Sequence, residues 1–384
     1  MKESRGMNRE NRPSVIYADS ETDSNMLYAT RIFIPDPFIY LKVRGKSFII
    51  VTSLEYSRSK KEAAVDYVMS IEEAMEGTLA GRNSHRNTAD LLANVLHEKK
   101  IKCIRVPWTF PTGLADELRG RGIAVNPVRD PFFPARTVKG LDEVLNIKKA
   151  LRAAEHGMKA AVGALREARI PRRKECLLLG GDTLTAERMR DIIHKAILEK
   201  QCTAKNTIVA CGLQTYDPHQ IGKGPLVANQ PIIVDIFPRS NETGYYGDIT
   251  RTFVKGTPSE WIRKAYEAVR EGQRIAISHL SPGAQGTSIH NRVVRFFESR
   301  GFPTKRTENG MVGFFHGTGH GLGLALHEYP LLGRRPCILK DGHVVTVEPG
   351  IYYPEWGGVR LEDVVWLTKD GTRMLTRFPK ILTI

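Results

Sequence analysis

Apolar residues recur along this chain with two spacings. Up to about residue 128, short runs of strand type alternate with stretches of helical spacing. Residues 38–43 and 46–52 read as two strands of a hairpin split by Gly45, and 67–70, 102–106 and 123–128 as further short strands. Between them, 55–64 and 113–118 read as helix, and Leu91, Leu92, Val95 and Leu96 mark one face of a helix over 87–98. This alternation predicts a small α/β domain.

The segment Asp130-Pro131-Phe132-Phe133-Pro134 interrupts the pattern and marks a boundary. Beyond it, 141–168 is a long amphipathic helix ended by Pro171, and 188–199, 261–279 and 288–299 are three more helices. Strand-like runs cover 208–212, 232–237, 344–347, 350–353 and 359–367. The reading is a polar lead-in over 1–25, an N-terminal α/β domain over 26–134 and a larger domain over 135–384.

With 41% apolar residues in 384, a sizeable core can form. No apolar run reaches 18 residues and the N-terminus lacks the apolar centre of a signal peptide, so a membrane span and secretion are not expected. Five scattered cysteines without a CxxC pair argue for free thiols in a reducing compartment such as the cytoplasm. The net charge of +15 is spread out. Its densest groups are Arg119 with Arg121, Arg172-Arg173-Lys174 and Arg334-Arg335, and no aromatic-interleaved basic patch predicts specific nucleic-acid binding.

The chemistry concentrates in FHGTGHGLGLALHEYP, residues 315–330, where His316, His320 and His327 lie among four glycines. Histidine is both a frequent metal ligand and the usual acid or base near neutral pH. Glycine lets backbone approach a neighbour or ligand closely. Carboxylates elsewhere complete the set. Asp235 sits inside an apolar strand, and Asp248, thirteen residues on, heads another; a hairpin turning at 240–244 brings the two together. Glu348 ends the run 344–347. Glu362 and Arg360, two residues apart, face one side of the run 359–367. His219 occupies a loop ahead of the Asp235 strand. Buried carboxylates without partners are costly. Oxygen-rich ligation with one imidazole suits Mn²⁺, with Co²⁺, Zn²⁺ or Fe²⁺ as alternatives. Four carboxylates exceed the charge of one divalent ion and suit two.

The order Asp…Asp…His…Glu…Glu, set in GDITRTF, HGTGHGLGLALHEYP, VEPG and GVRLED, resembles the pita-bread metallopeptidases: aminopeptidase P, prolidase, methionine aminopeptidase and the metal-free creatinase. The resemblance implies an α/β (α+β) fold, with a C-terminal pita-bread catalytic domain and a smaller N-terminal creatinase-like α/β domain. It implies an exopeptidase that hydrolyses the N-terminal Xaa-Pro bond of a peptide with proline in second position, using a water bridged between two divalent metal ions. Carried onto this chain, Asp235 binds one ion, Asp248 and Glu362 bridge both, and His320 and Glu348 complete the other. Glu348 also accepts the proton of the attacking water. His327 contacts the scissile peptide, His219 lies on the substrate side, and His316 and Arg360 support or contact the substrate. A homodimer is also implied.

Two departures qualify the resemblance. The family commonly has Asp-x-Gly at the first ligand and eleven residues to the second; here Asp235-Ile236-Phe237 is followed at a separation of thirteen. The lengthened loop 238–246 therefore adjoins the site and bears on substrate choice. The N-terminal domain carries no family signature, so dipeptidase and aminopeptidase activity both stay open, as do another metal-dependent hydrolase or lyase acting on a small non-peptide substrate and a catalytically silent binding protein.

Overall fold

The computed structural model describes residues 12–76, 87–172, 175–308 and 310–384. Arg173 and Lys174 of the basic triplet, and residues 1–11 of the expected lead-in, lie outside them. The chain divides into two compact units, Met1–Arg136 and Thr137–Ile384.

In the first unit the period-two alternation of strand side chains builds two cores. The sheet order is Tyr67–Ser70, Lys46–Val51, Phe38–Val43, Ser14–Ala18, Cys103–Pro107, Ala124–Val128. Val15, Ile39, Leu41 and Ile50 face the helices Thr88–Glu98 and Thr112–Gly120. Ile16, Phe38, Tyr40 and Ile49 face Met26 and Phe132 on the other side. The sequence reading starts this unit at Met26, but Ser14–Ala18 is an inner strand, antiparallel to Phe38–Val43 and parallel to Cys103–Pro107. Its apolar run, Val15 to Ala18, is four residues long and does not alternate, so it does not stand out beside the polar residues around it.

The second unit uses one device twice: a pair of helices covers one face of a sheet. Leu141–Glu167 and Ala186–Leu198 pack with the three strands Ile208–Cys211, Ile232–Ile236 and Ile249–Phe253. Glu260–Ser278 and Gly286–Ser299 pack with a five-stranded sheet in the order Glu328–Leu332, Gly319–Gly321, Val344–Val347, Asp363–Thr368, Gly371–Met374. A glycine sets the close approach in each helix pair. A Cβ on Gly157 would lie 3.0 Å from Ile197, and one on Gly272 would lie 2.6 Å from the Phe297 ring.

The run 359–367, expected as one strand, is two. Gly357–Arg360 pairs with Gly350–Tyr353, while Asp363–Thr368 pairs with Val344–Val347. The break falls at Leu361 and Glu362, where the Glu362 amide leaves the ladder to donate to the Thr250 carbonyl at 3.0 Å. Continuous apolar character gives no sign of such an exchange of partners.

Arg251 locks this junction. Fully buried, it ion-pairs with Asp363 at 2.7 Å and donates to the carbonyls of Thr250, Glu362, Phe378 and Pro379. Only the planar fork of arginine reaches so many acceptors. Replacing Arg251 with Met removes the donor from the Glu362, Phe378 and Pro379 carbonyls and leaves Asp363 to Lys380 and the Thr376 hydroxyl. We expect Arg251→Met to cost about 3 kcal/mol in denaturant unfolding, with Arg251→Lys restoring little of it.

Candidate metal centre

The hairpin register explains how the two aspartates meet. Thr250 lies directly opposite Asp235, so their side chains share a face of the sheet; Asp248, two residues before Thr250, points the same way. The loop between them turns at 240–244, where the Gly244 amide donates to the Ser240 carbonyl at 2.9 Å. Its outer part is tied down elsewhere. Arg239–Ser240 pairs with Cys202–Thr203, and the Tyr245 hydroxyl donates to Glu143 at 2.7 Å on the first turn of the long helix. On the way back to Asp248, Gly247 runs against that helix, where a Cβ would stand 2.6 Å from the Leu151 nitrogen.

The other half of the centre comes from the five-stranded sheet. His320 sits in Gly319–Gly321, whose approach to Val344–Val347 depends on Gly319: a Cβ there would lie 1.9 Å from the Thr346 carbonyl oxygen. His320 Nδ1 contacts the Gly321 carbonyl at 3.0 Å, which assigns the ring proton to Nδ1 and leaves Nε2 a lone pair. That nitrogen lies 3.4 Å from Glu348 Oε1 and 3.7 Å from Asp248 Oδ2. Glu348 is placed by its own amide, which donates to the Thr318 carbonyl at 2.8 Å. Glu362 accepts from the Thr250 hydroxyl at 2.8 Å. Ligand atoms of Asp248, His320 and Glu362 all lie within 4.8 Å of one another.

A hydrogen-bonded line supports the aspartate side. Arg360 Nη2 binds Asp235 Oδ2 at 2.7 Å, its Nη1 donates to the Tyr352 hydroxyl at 2.9 Å, and that hydroxyl meets His316 Nε2 at 3.0 Å. The other nitrogen of His316 contacts the Gly317 carbonyl at 2.8 Å, so both ring nitrogens are engaged. His327 is exposed on the cavity wall, with its ring edge-on to His320 at 4.3 Å between centroids. His219 is exposed on the same wall.

A cavity of about 1070 Å³ is thus lined by every residue singled out in the sequence: His219, Asp235, Asp248, His316, His320, His327, Glu348, Arg360 and Glu362. Three residues that place them were not foreseen. Arg251 and Tyr352 leave no mark on a linear pattern. Thr250 was within reach, because the hairpin register alone puts it opposite Asp235.

The electrostatics call for cations. Burial, followed by repulsion from Glu362, Asp235 and Glu348, raises Asp248 well above the carboxylate range. Burial and the neighbouring Glu348 and Asp235 do the same to Glu362. Glu348 rises to about 8, chiefly by burial, with Asp235 adding and Arg360 opposing. His320 falls to about 3 through burial and the nearby His327. Among the described residues, the one guanidinium ion-paired with these four carboxylates is Arg360. Asp235 Oδ1 is buried with no hydrogen-bond partner. An orphaned carboxylate oxygen, crowded acids and an imidazole lone pair aimed at them make a donor set that fits divalent cations.

Such a centre, in a unit of paired helices over sheets, defines a metallohydrolase. Comparison with known proteins narrows the class. The profile of metallopeptidase family M24 matches residues 146–369. An uncharacterized peptidase of Bacillus subtilis, YqhT, is 38% identical over 178 residues, covering 46% of this chain and 48% of that protein, so the chain spans about half of that relative. The Xaa-Pro dipeptidase of Pyrococcus horikoshii is 27% identical over 88% of this chain and 86% of its own. The solved prolidase of Pyrococcus horikoshii OT3 superposes with a TM-score of 0.78 at 23% identity, covering 97% of this chain and 96% of that one. The chain belongs to metallopeptidase family M24 and has its pita-bread fold. Among the described residues, no helix is long and apolar enough to cross a membrane.

The shifted groups set a pH signature for the metal-free protein. Acids raised in the folded state hold protons that the unfolded chain has lost, so they contribute stability below about 4.5 that is lost as pH rises through about 8 for Glu348. The lowered histidines His316 and His320 act oppositely, but only between about 3 and 6.5. Between about pH 6.5 and 8 the acids act alone. Chelator-treated protein is expected to melt at progressively lower temperature across that window, and Mn²⁺ to abolish the decline. A flat or rising profile without metal would contradict the charge balance described.

Proposed function

We propose that this metallopeptidase is a dinuclear exopeptidase that cleaves the N-terminal Xaa-Pro bond. The observation that carries the reading is the convergence of four carboxylates and one free imidazole nitrogen on a cavity that also holds three further histidines. The names of the relatives supply the substrate class: Xaa-Pro dipeptidase and prolidase.

Asp235 would hold one ion, His320 and Glu348 the other, with Asp248 and Glu362 shared between them; Mn²⁺ suits this oxygen-rich set. The chemistry supplied when the ions are bound is Lewis acidity, which acidifies a water and polarises the peptide carbonyl. The protein's own groups do the rest. Glu348, next to His320, takes the proton of the attacking water and returns it to the departing proline nitrogen. His327 donates to the scissile carbonyl oxygen as charge builds on it. Arg360 fixes Asp235 through Oδ2 and leaves Oδ1 without a partner, while Tyr352 and His316 hold Arg360 in place. His219 faces the substrate from the loop ahead of the Asp235 strand. A homodimer, which rests on the family resemblance, in the cytoplasm, which the free cysteines suit, completes the reading.

The decisive assay supplies purified protein with Mn²⁺ or Co²⁺ and offers Xaa-Pro dipeptides, longer Xaa-Pro peptides and Xaa-Ala controls. Release of the first residue from the Xaa-Pro substrates alone is expected, and no turnover with any metal on either length would sink the reading. Glu348→Gln should lower kcat by about 10²–10⁴-fold, the range for loss of a general base. Activity should also fall in mild acid, because protons compete with metal. Since His320 is already held to about 3, that competition takes place at the carboxylates. Activity unchanged down to about pH 4, where carboxylates ordinarily titrate, would contradict it.

A further inference from the structure

Lys139 lies two residues ahead of the long helix Leu141–Glu167 and its side chain is 1% exposed. A buried ammonium is unusual, and a buried ion pair seldom stabilises more than an apolar pair of the same volume. The partner of Lys139 is Glu328, 189 residues on, itself 7% exposed. Glu328 directly follows His327.

The loop leading to His327 is clamped at this pair. The Ala325 amide reaches Glu328 Oε2 at 3.4 Å, and the Gly323 amide donates to the Ala325 carbonyl at 3.2 Å. Gly323 lies beneath the pair: a Cβ there would stand 2.5 Å from Glu328 Oε1 and 3.1 Å from Lys139 Cε. The carbonyl of Gly323 accepts from the Tyr246 amide at 2.8 Å, tying in the loop that leads to Asp248. On its other side Lys139 is anchored by its own amide, which donates to the Gly342 carbonyl at 2.8 Å. The strand register slips next to His320, since Gly321 pairs with Glu328 while His320 pairs with Leu331. The regular ladder therefore does not carry through to His327, and the Glu328 carboxylate supplies the fixed point next to it.

We propose that Lys139 is a positioning residue that acts through Glu328 to hold the exposed His327 imidazole against His320 and over the reacting peptide. The role given to His327 rests on the function proposed above. Lys139 itself touches no substrate. An apolar side chain would fill the same space without directing the Glu328 carboxylate, which is the physical reason for a charged pair here.

The test is a double-mutant cycle on the Mn²⁺-loaded full chain, read with an Xaa-Pro peptide. Lys139→Met is expected to lower kcat by about tenfold or more with little change in KM, the scale of a catalytic group displaced by about 1 Å. On a His327→Ala background the same change is expected to alter kcat by less than about twofold, because groups acting as a unit are not additive. An equal factor on both backgrounds would show a merely structural role and overturn the proposal. The pair replacement Lys139→Met with Glu328→Leu leaves no lone buried charge, so it supplies the cycle if Lys139→Met alone fails to fold. A second readout needs no activity: carbethoxylation of His327 by diethylpyrocarbonate in the metal-free protein, followed by mass spectrometry. Its rate is expected to change in the Lys139 variants, and an unchanged rate counts against the proposal. If the wild-type protein cleaves no Xaa-Pro peptide, the function fails by that result alone, and the modification rate still decides whether Lys139 places His327.

Discussion

Four carboxylates converge on one cavity, and the rest of the second unit is arranged to make that crowding possible. Left to themselves, Asp235, Asp248, Glu348 and Glu362 repel one another in surroundings that already disfavour charge. A fold tolerates this when most of the carboxylates are held from behind. Arg360 holds Asp235, the Thr250 hydroxyl holds Glu362, and the Thr318 carbonyl fixes the Glu348 backbone. The remaining imbalance of charge is the affinity for divalent cations.

The twofold use of helices over sheet follows from this need. A single sheet face cannot present acids from four strands to one point, whereas two sheets can, each with its apolar side covered by a helix pair. The aspartates come from one sheet; His320 and Glu348 come from the other. Glu362 stands at the seam, where the chain leaves the Gly357–Arg360 strand for Asp363–Thr368 and its amide crosses to Thr250. Buried Arg251 fastens the same seam by binding the Glu362 carbonyl and Asp363. Stability and site geometry thus share one set of bonds there, so a change at Arg251 bears on both.

Much of this was legible in the residues because the strongest signals are local. The longer helices begin and end close to where apolar spacing places them, as with Thr88–Glu98, whereas the short Ser24–Thr30 and Ile71–Glu76 were not read. The hairpin joining Asp235 to Asp248 follows from two apolar runs and a turn rich in small polar residues. What escaped is non-local. Ser14–Ala18 is a strand because two neighbours pair with it. The run 359–367 breaks where the Glu362 amide turns to the Thr250 carbonyl, a partner 112 residues away. The Lys139–Glu328 pair spans 189 residues, and neither partner is distinguishable in sequence from a solvated charge.

The amino-acid sequence by itself determined most of the element types and the chemical character of the centre: which acids, which histidines, in what order. Those depend on side-chain periodicity and on residue identity, and both are written one residue at a time. Only the tertiary structure decided which nitrogen of His320 faces the carboxylates, that His316 has both nitrogens engaged, that one oxygen of Asp235 is left without a partner, and that Lys139 reaches the residue after His327. Each of these turns on a distance between segments far apart in the chain. Such distances are set by how the sheets and helices pack, and no local pattern encodes them.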